Sequence, residues 1–364
     1  MSKLNLPEPQ DLALSLLKNL PERNQEILKR RYGLIDNHPQ TLEAIGKTYQ
    51  ITRERVRQIV EASLKIIKNS PQMSAVTPFW SQAKNLLRQL GGLEEENDFL
   101  VLLQKKLELE KSTLSTLKFL LLLNPEFCLE NEDDNLFAYW HLKELSRNQI
   151  QATVKKLEEF FKKQKQVATP QEILSWAKQN ISSDLTEDTI RIYLKLMKTI
   201  GVNPFGEYGL RNWSKIEPAG ARDRAYLLLS HEKKPLHFTE IAKSLNEQKE
   251  VASPLILSRS WLKKVEVQTV HNELIKDPRF VLIGRGIYAL RDWGYEPGKV
   301  ADVIKEVLKE AKKPLTQEEI IQEVQKRRFA KPNTIILNLH NKKLFKKVDE
   351  KHYTLAREEK ILEV

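Results

Sequence analysis

Five side chains in one short run, Arg53, Glu54, Arg55, Arg57 and Gln58, have the chemistry to bind base edges and phosphates. Arginine offers a planar fork of donors to guanine or phosphate, glutamine both donates and accepts along an adenine edge, and glutamate accepts from a cytosine amino group. Two elements must position them. Thr52 is a helix N-cap, and Val56, Ile59, Val60 and Ser63 follow at helical spacing, which predicts a helix that runs to Lys68. Thr41 caps a shorter helix before it, with Leu42, Ala44 and Ile45 on its apolar side, and Tyr49–Gln50–Ile51 forms the turn between them. The pair predicts a helix-turn-helix whose second helix enters the DNA major groove. A basic amphipathic helix taken alone is more often a solvated surface, so the residues upstream have to be weighed with it.

Those residues form separate blocks in a fixed order. Leu20–Pro21–Glu22–Arg23–Asn24, Ile27–Leu28 and Arg31–Tyr32–Gly33–Leu34 precede TLEAIG and TRERVRQI. Over about residues 5–70 the chain resembles region 4 of bacterial sigma factors, the domain with which primary sigma factors read the promoter −35 element. The resemblance implies that Arg53, Glu54 and Gln58 contact bases, and that Thr41, Thr52, Arg55, Arg57 and Lys65 contact phosphates. Gln50 departs from it by standing where many members carry glycine, at a cost on the order of 1 kcal/mol if its φ is positive. Val60 and Ala62 also depart, occupying positions that are usually polar or basic.

Composition points the same way. The 364 residues have a net charge of +11, 40% hydrophobic and 30% charged content, and a mean hydropathy of −0.49, as expected of a folded, water-soluble chain with a polyanionic partner. The charge is uneven. Residues 71–145 carry 7 lysines or arginines against 12 acidic residues, whereas the segments before and after are basic. Such an acidic stretch suits a contact with a protein or with another module better than one with DNA. A lone cysteine, Cys128, gives no disulfide framework and fits a reducing cytoplasm. The N-terminal residues lack a signal pattern, and the leucine-rich run 119–123 is too short to span a bilayer, so no membrane role is expected.

Beyond Lys68 one pattern recurs about every 70 to 80 residues: three helices, then two β-type segments ending in an aromatic. The closings Tyr208–Gly209–Leu210–Arg211–Asn212–Trp213 and Tyr288–Ala289–Leu290–Arg291–Asp292–Trp293 run in parallel. Three helices and a hairpin make a winged helix. The predicted fold is therefore mainly α, an array of helix-turn-helix and winged-helix modules with small two-stranded β wings. The modules divide at 1–70, 71–145, 146–216, 217–296 and 297–364. Residues 219–294, with LSHEKKPLHFTEIAKSL and DPRFVLIGRGIYALRDWG, resemble the HARE-HTH winged helix found in the RNA polymerase delta subunit and in some chromatin and restriction proteins. In that module Gln268, His271, Asn272 and Lys276 share one side of a recognition helix and Arg285 tops the wing. In the last module Lys331, Lys342 and Lys343 belong to a basic, polar helix region suited to phosphates. Trp140, Trp213 and Trp293, at the wing ends, are expected to be structural plugs.

Enzyme signatures are missing: the chain has no GxxxxGK[ST], HExxH, GxSxG or paired cysteines, and GRGIYA is not followed by a helix-opening sequence. Neither a catalytic residue, a metal nor a cofactor is expected. The expected partners are double-stranded DNA and, through the sigma-like or delta-like resemblance, RNA polymerase; the oligomeric state is open. The reading is a cytoplasmic, sequence-specific transcription regulator. A delta-like polymerase accessory protein and a DNA-recognition subunit of a restriction-modification system are the alternatives. With every segment after residue 70 given to winged helices, no place remains for the sigma region that melts the −10 element.

Overall fold

The computed structural model describes residues 8–109, 112–247, 257, 259–295, 299–327, 330–349 and 351–356. The chain divides into two compact units, residues 1–201 with 208–210, and residues 202–207 with 211–364. The architecture is mainly α with small antiparallel sheets, and the helices begin and end close to where periodicity and capping place them.

The first unit starts with α1 (Pro9–Leu17), α2 (Glu22–Tyr32), α3 (Leu42–Tyr49) and α4 (Arg53–Lys68). A 3-10 turn at Pro71–Val76 leads to α5 (Thr77–Gln89), β1 (Leu93–Glu95), α6 (Glu96–Lys106), α7 (Leu114–Leu122) and the hairpin β2 (Phe127–Glu130) and β3 (Tyr139–Leu142). One apolar core runs through all of this, from Ala13, Ile27 and Val56 to Leu87, Phe119, Leu120 and Trp140. The helix α7 has apolar side chains nearly all round, including Leu117, Phe119, Leu120 and Leu121, as a helix enclosed on most sides must. The ring of Phe119 packs on Tyr32 of α2, centroids 4.9 Å apart. Polar groups close the same seam: the Thr116 hydroxyl donates to Gln10 Oε1 at 2.6 Å, and the Ser115 amide to Asn37 Oδ1 at 3.0 Å.

The unit continues with α8 (Arg147–Gln164), α9 (Pro170–Asn180), α10 (Glu187–Leu196) and the hairpin β4 (Ile200–Val202) and β5 (Tyr208–Leu210). Buried Glu94 of β1 accepts an ion pair from Lys195 of α10, and Lys195 also reaches Asp98 at 2.8 Å. Burial pushes the Glu94 carboxyl above its ordinary range, so the lysine is what keeps a charge tolerable there.

The second unit holds two further copies of the pattern. One comprises α11 (Ala221–Glu232), β6 (Leu236–His237), α12 (Phe238–Glu247), a short α13 (Arg259–Leu262), α14 (Val267–Lys276) and the hairpin β7 (Phe280–Leu282) and β8 (Ile287–Leu290). The other comprises α15 (Val300–Ala311), β9 (Leu315–Thr316), α16 (Gln317–Arg327), α17 (Pro332–Leu339) and the hairpin β10 (Phe345–Lys347) and β11 (His352–Leu355). Each has its own core, around Leu228, Ile241 and Tyr288 in the first and Ile304, Ile320 and Phe345 in the second.

The wings contain more than a two-stranded hairpin. A short strand between the first and second helices pairs with the hairpin's last strand, giving the orders β1-β3-β2, β6-β8-β7 and β10-β11-β9. In the β4–β5 hairpin the same place is filled by Ala168, which exchanges backbone hydrogen bonds of 2.8 and 2.9 Å with Tyr208. These strands escape a reading based on alternation because two or three residues carry too little period. Gly286, at φ +69, turns the β7–β8 wing, and a Cβ there would stand 2.4 Å from the His237 ring.

The shared core carries a consequence for the helix-turn-helix. Phe119→Ala is expected to cost about 3–5 kcal/mol, and amide exchange should speed up in α2 and α4 as well as in α7. Exchange that rises only within residues 77–142 would show that the two parts fold independently.

Candidate nucleic-acid interface

The turn between α3 and α4 fixes everything the second helix presents. Gln50 adopts the left-handed conformation, φ 53 and ψ 42, as the departure from glycine anticipated. Its neighbour Ile51 donates its amide to the Gly46 carbonyl at 3.0 Å, a 6→1 bond that closes the helix end. Gly46 itself lies against this turn: a Cβ there would stand 2.7 Å from the Ile51 carbonyl oxygen. Position 46 therefore admits only glycine without a shift of backbone, a requirement that periodicity does not signal.

Both expected caps form. The Thr41 hydroxyl accepts from the Ala44 amide at 3.1 Å, and the Thr52 hydroxyl from the Arg55 amide at 3.2 Å. Each hydroxyl keeps its own proton to donate to a phosphate. Ile45 of α3 and Val56, Val60 and Ile67 of α4 are buried, which holds the pair against Ile27 and Leu28 of α2. The burial of Val60 accounts for its apolar character, whereas Ala62 is exposed. Upstream, Arg31 donates to the Gln40 carbonyl at 3.0 Å and so anchors the segment that leads into Thr41.

With Val56, Val60, Ser63 and Ile67 facing inward, the 100° step of a helix puts Glu54, Gln58, Glu61 and Lys65 on the outward stripe. Arg53 and Arg57 flank it on one side and Arg55 on the other. All eight expected contacts, Thr41, Thr52, Arg53, Glu54, Arg55, Arg57, Gln58 and Lys65, are exposed. The geometry suits base contacts from the start of the helix, Arg53, Glu54 and Gln58, with Arg55 and Arg57 on opposite sides in a position to reach phosphates.

The stripe is internally paired. Arg57 donates from Nη2 to Glu54 at 2.6 Å and from Nε to the same carboxylate at 2.9 Å, and it is also paired with Glu61. Arg55 donates to Gln58 Oε1 at 3.2 Å. The Arg57 guanidinium holds the Glu54 carboxyl below its ordinary pKa, so Glu54 stays a charged acceptor. Glu61 went unnoticed among the candidates; its i+4 spacing from Arg57 is the signal that points to it.

The secondary candidates lie in the second unit. Gln268, Asn272 and Lys276 are exposed on α14, with Gln268 Nε2 bonded to Asn272 Oδ1 at 3.1 Å. His271 is half-buried, its ring 4.4 Å from that of Phe238. Arg285 is exposed at the wing turn, Lys331 at the start of α17, and Lys342 and Lys343 just before β10. Among the described residues no helix is long and apolar enough to cross a membrane.

A short helix, a tight left-handed turn and a capped, exposed second helix with this side-chain set define a DNA-binding helix-turn-helix. The comparison with known families makes it more specific: residues 16–69 match Sigma-70, region 4. This segment is similar to the RNA polymerase sigma factor RpoS of Coxiella burnetii, 44% identical over 61 residues, 17% of each chain. It is also similar to the RNA polymerase sigma factor SigA of a Bacillus species, 36% identical over 64 residues, 18% of this chain and 17% of the other. The chain thus spans about a sixth of the length of these relatives, and the shared part is a DNA-binding module tied to transcription.

Two substitutions test the geometry. Alanine is favoured over glycine in an open helix by about 1 kcal/mol, yet Gly46→Ala should destabilise the first unit by about 1–3 kcal/mol in denaturant unfolding, because the turn must move. Net stabilisation would remove the close contact from the account. Glu61→Gln removes one of the two carboxylates that hold Arg57, leaving its tie to Glu54, and takes a negative charge off the exposed stripe, so duplex affinity should rise about 3- to 10-fold. Equal or weaker binding would show that Glu61 does not compete with phosphate for Arg57.

Proposed function

We propose that this chain is a sequence-specific, DNA-binding regulator of transcription that lays the start of α4 in the major groove. Arg53, Glu54 and Gln58 read base edges, while Thr41, Thr52, Arg55, Arg57 and Lys65 hold phosphates. The single observation that supports this most is the capped, exposed stripe of α4 within the segment that matches sigma-70 region 4. The winged-helix modules add contacts to DNA or to RNA polymerase. Gln268, His271, Asn272, Lys276 and Arg285 are the candidates in one module and Lys331, Lys342 and Lys343 in the other. The HARE-HTH likeness of residues 219–294 belongs to the same proposal.

Selection of bound sequences from random duplexes, followed by Arg53→Ala, tests the reading. The substitution should weaken the selected site by about 1–3 kcal/mol and relax its preference at one or two positions. Identical binding of selected and random duplexes by both proteins would exclude base reading by Arg53.

A second reading, a polymerase accessory protein, draws support from the module of α14. Ile275 is 62% exposed, Leu282 45% and Val267 41%, apolar side chains that suit a protein surface better than a phosphate backbone. Polymerase retained equally by the wild type and by Arg53→Ala would favour it, and no retention by either would leave DNA reading alone.

A further inference from the structure

The second unit contains a cleft of about 500 Å³ that neither proposed DNA surface uses, lined by Tyr226, Ser230, Lys233, Leu290, Asp292, Trp293, Tyr295 and Lys326. Three aromatic rings converge there. The expectation that the wing-end tryptophans are plugs holds differently along the chain: Trp140 is fully buried, whereas Trp293 is only half-buried and opens onto this cleft. Tyr226 is held in place from behind. The Arg279 guanidinium lies 4.8 Å from its ring centre, and Arg279 is itself fixed by Asp223 at 2.7 Å and Asp277 at 2.6 Å. Trp293 and Tyr295 are anchored against Val281, Ile283 and Ala289. These rings are therefore held in place where they line the cleft.

Charge completes the chemistry. Lys233 and Lys326 stand at the exposed rim, and Ser230 adds a hydroxyl. Lys326 also pairs with Glu323 at 2.6 Å, an exposed contact that a phosphate can replace at little cost. Asp292 is the one acidic side chain in the lining. Aromatic faces with cations beyond them are what a base joined to a phosphate requires, because every base has a face to stack and the lysines meet the backbone.

We propose that this cleft binds an unpaired nucleotide of single-stranded DNA, with the base stacked on Trp293 and the flanking phosphates met by Lys233 and Lys326. A strand fits better than a free nucleotide because the lysines are solvent-exposed at the rim: they can track a backbone that continues past the cleft but do not enclose a terminal phosphate. A paired base cannot enter, since its faces are stacked within the duplex. The site is separate from α4, so it stands or falls independently of the −35-type reading.

The test titrates the full chain with fluorescent oligodeoxythymidine of about ten nucleotides, within the span such sites cover. Trp293→Ala and Lys326→Glu should each weaken binding about 5- to 50-fold, while Trp293→Phe keeps most of it. Lys326→Glu is an exposed change that leaves the core untouched, so it remains informative if Trp293→Ala unfolds. The proposal is overturned if the oligomer binds wild type and Lys326→Glu equally. It is overturned as a strand site if thymidine monophosphate competes as strongly, nucleotide for nucleotide, as the oligomer does.

Discussion

The contact of Gly46 with the Ile51 carbonyl decides what this protein can present to DNA. It brings α3 against the first turn of α4 and forces Gln50 into a left-handed conformation. Thr52 then caps α4 at the place where Arg53 and Glu54 leave the surface. A helix that started one residue later would rotate its side chains by 100° and move Val56 or Val60 out of the core. The apolar face and the DNA-facing stripe are thus fixed together, and Gln50 is tolerated because the closing bonds on either side of it outweigh a strain of about 1 kcal/mol.

A second constraint lies behind the helix-turn-helix. The surface of α1 and α2 that faces away from α4 is covered by α7, whose Phe119 meets Tyr32 and whose Thr116 meets Gln10. Both are apolar or hydrogen-bonded contacts deep in one continuous core. The acidic stretch therefore supports the DNA-reading head from within the same fold. Its acidic side chains serve part of that support: Glu94 and Asp98 hold Lys195, and Glu96 pairs with Lys118. An acidic segment inside a basic chain need not await a foreign partner when its charges are met at home.

Much of this could be read from residues alone, and what could not has definite physical reasons. Helices of eight or more residues announce themselves by period and caps, and the two threonine caps flanking the turn were legible for that reason. The region 4 likeness rested on several short blocks in order, and the family match over residues 16–69 bears it out. The third strand of three of the wings was illegible because two or three residues carry no period. The common core across residue 70 was illegible because apolar patterning says that a face is buried but not what buries it. At the interface, residue types were readable, but the double tie of Arg57 to Glu54 and Glu61 depends on rotamers that sequence spacing only permits.

That tie bears on how affinity and specificity separate on α4. A stripe with Glu54, Gln58, Glu61 and Lys65 at its centre carries one net negative charge, so it contributes no non-specific attraction. On the proposed reading Arg55 and Arg57 supply that attraction, and Arg57 does so only by exchanging a carboxylate for a phosphate. The exchange leaves Glu54 charged and free of its bidentate partner, where it needs a donor. A cytosine amino group in the right position provides one, and a base that offers only acceptors leaves a carboxylate facing like partial charges. Binding to a wrong sequence is thereby penalised at the same step that makes binding to a right one favourable. On the proposed reading, the net charge of +11 sets how fast and how salt-sensitively the chain meets DNA, while Arg53, Glu54 and Gln58 set where it stays.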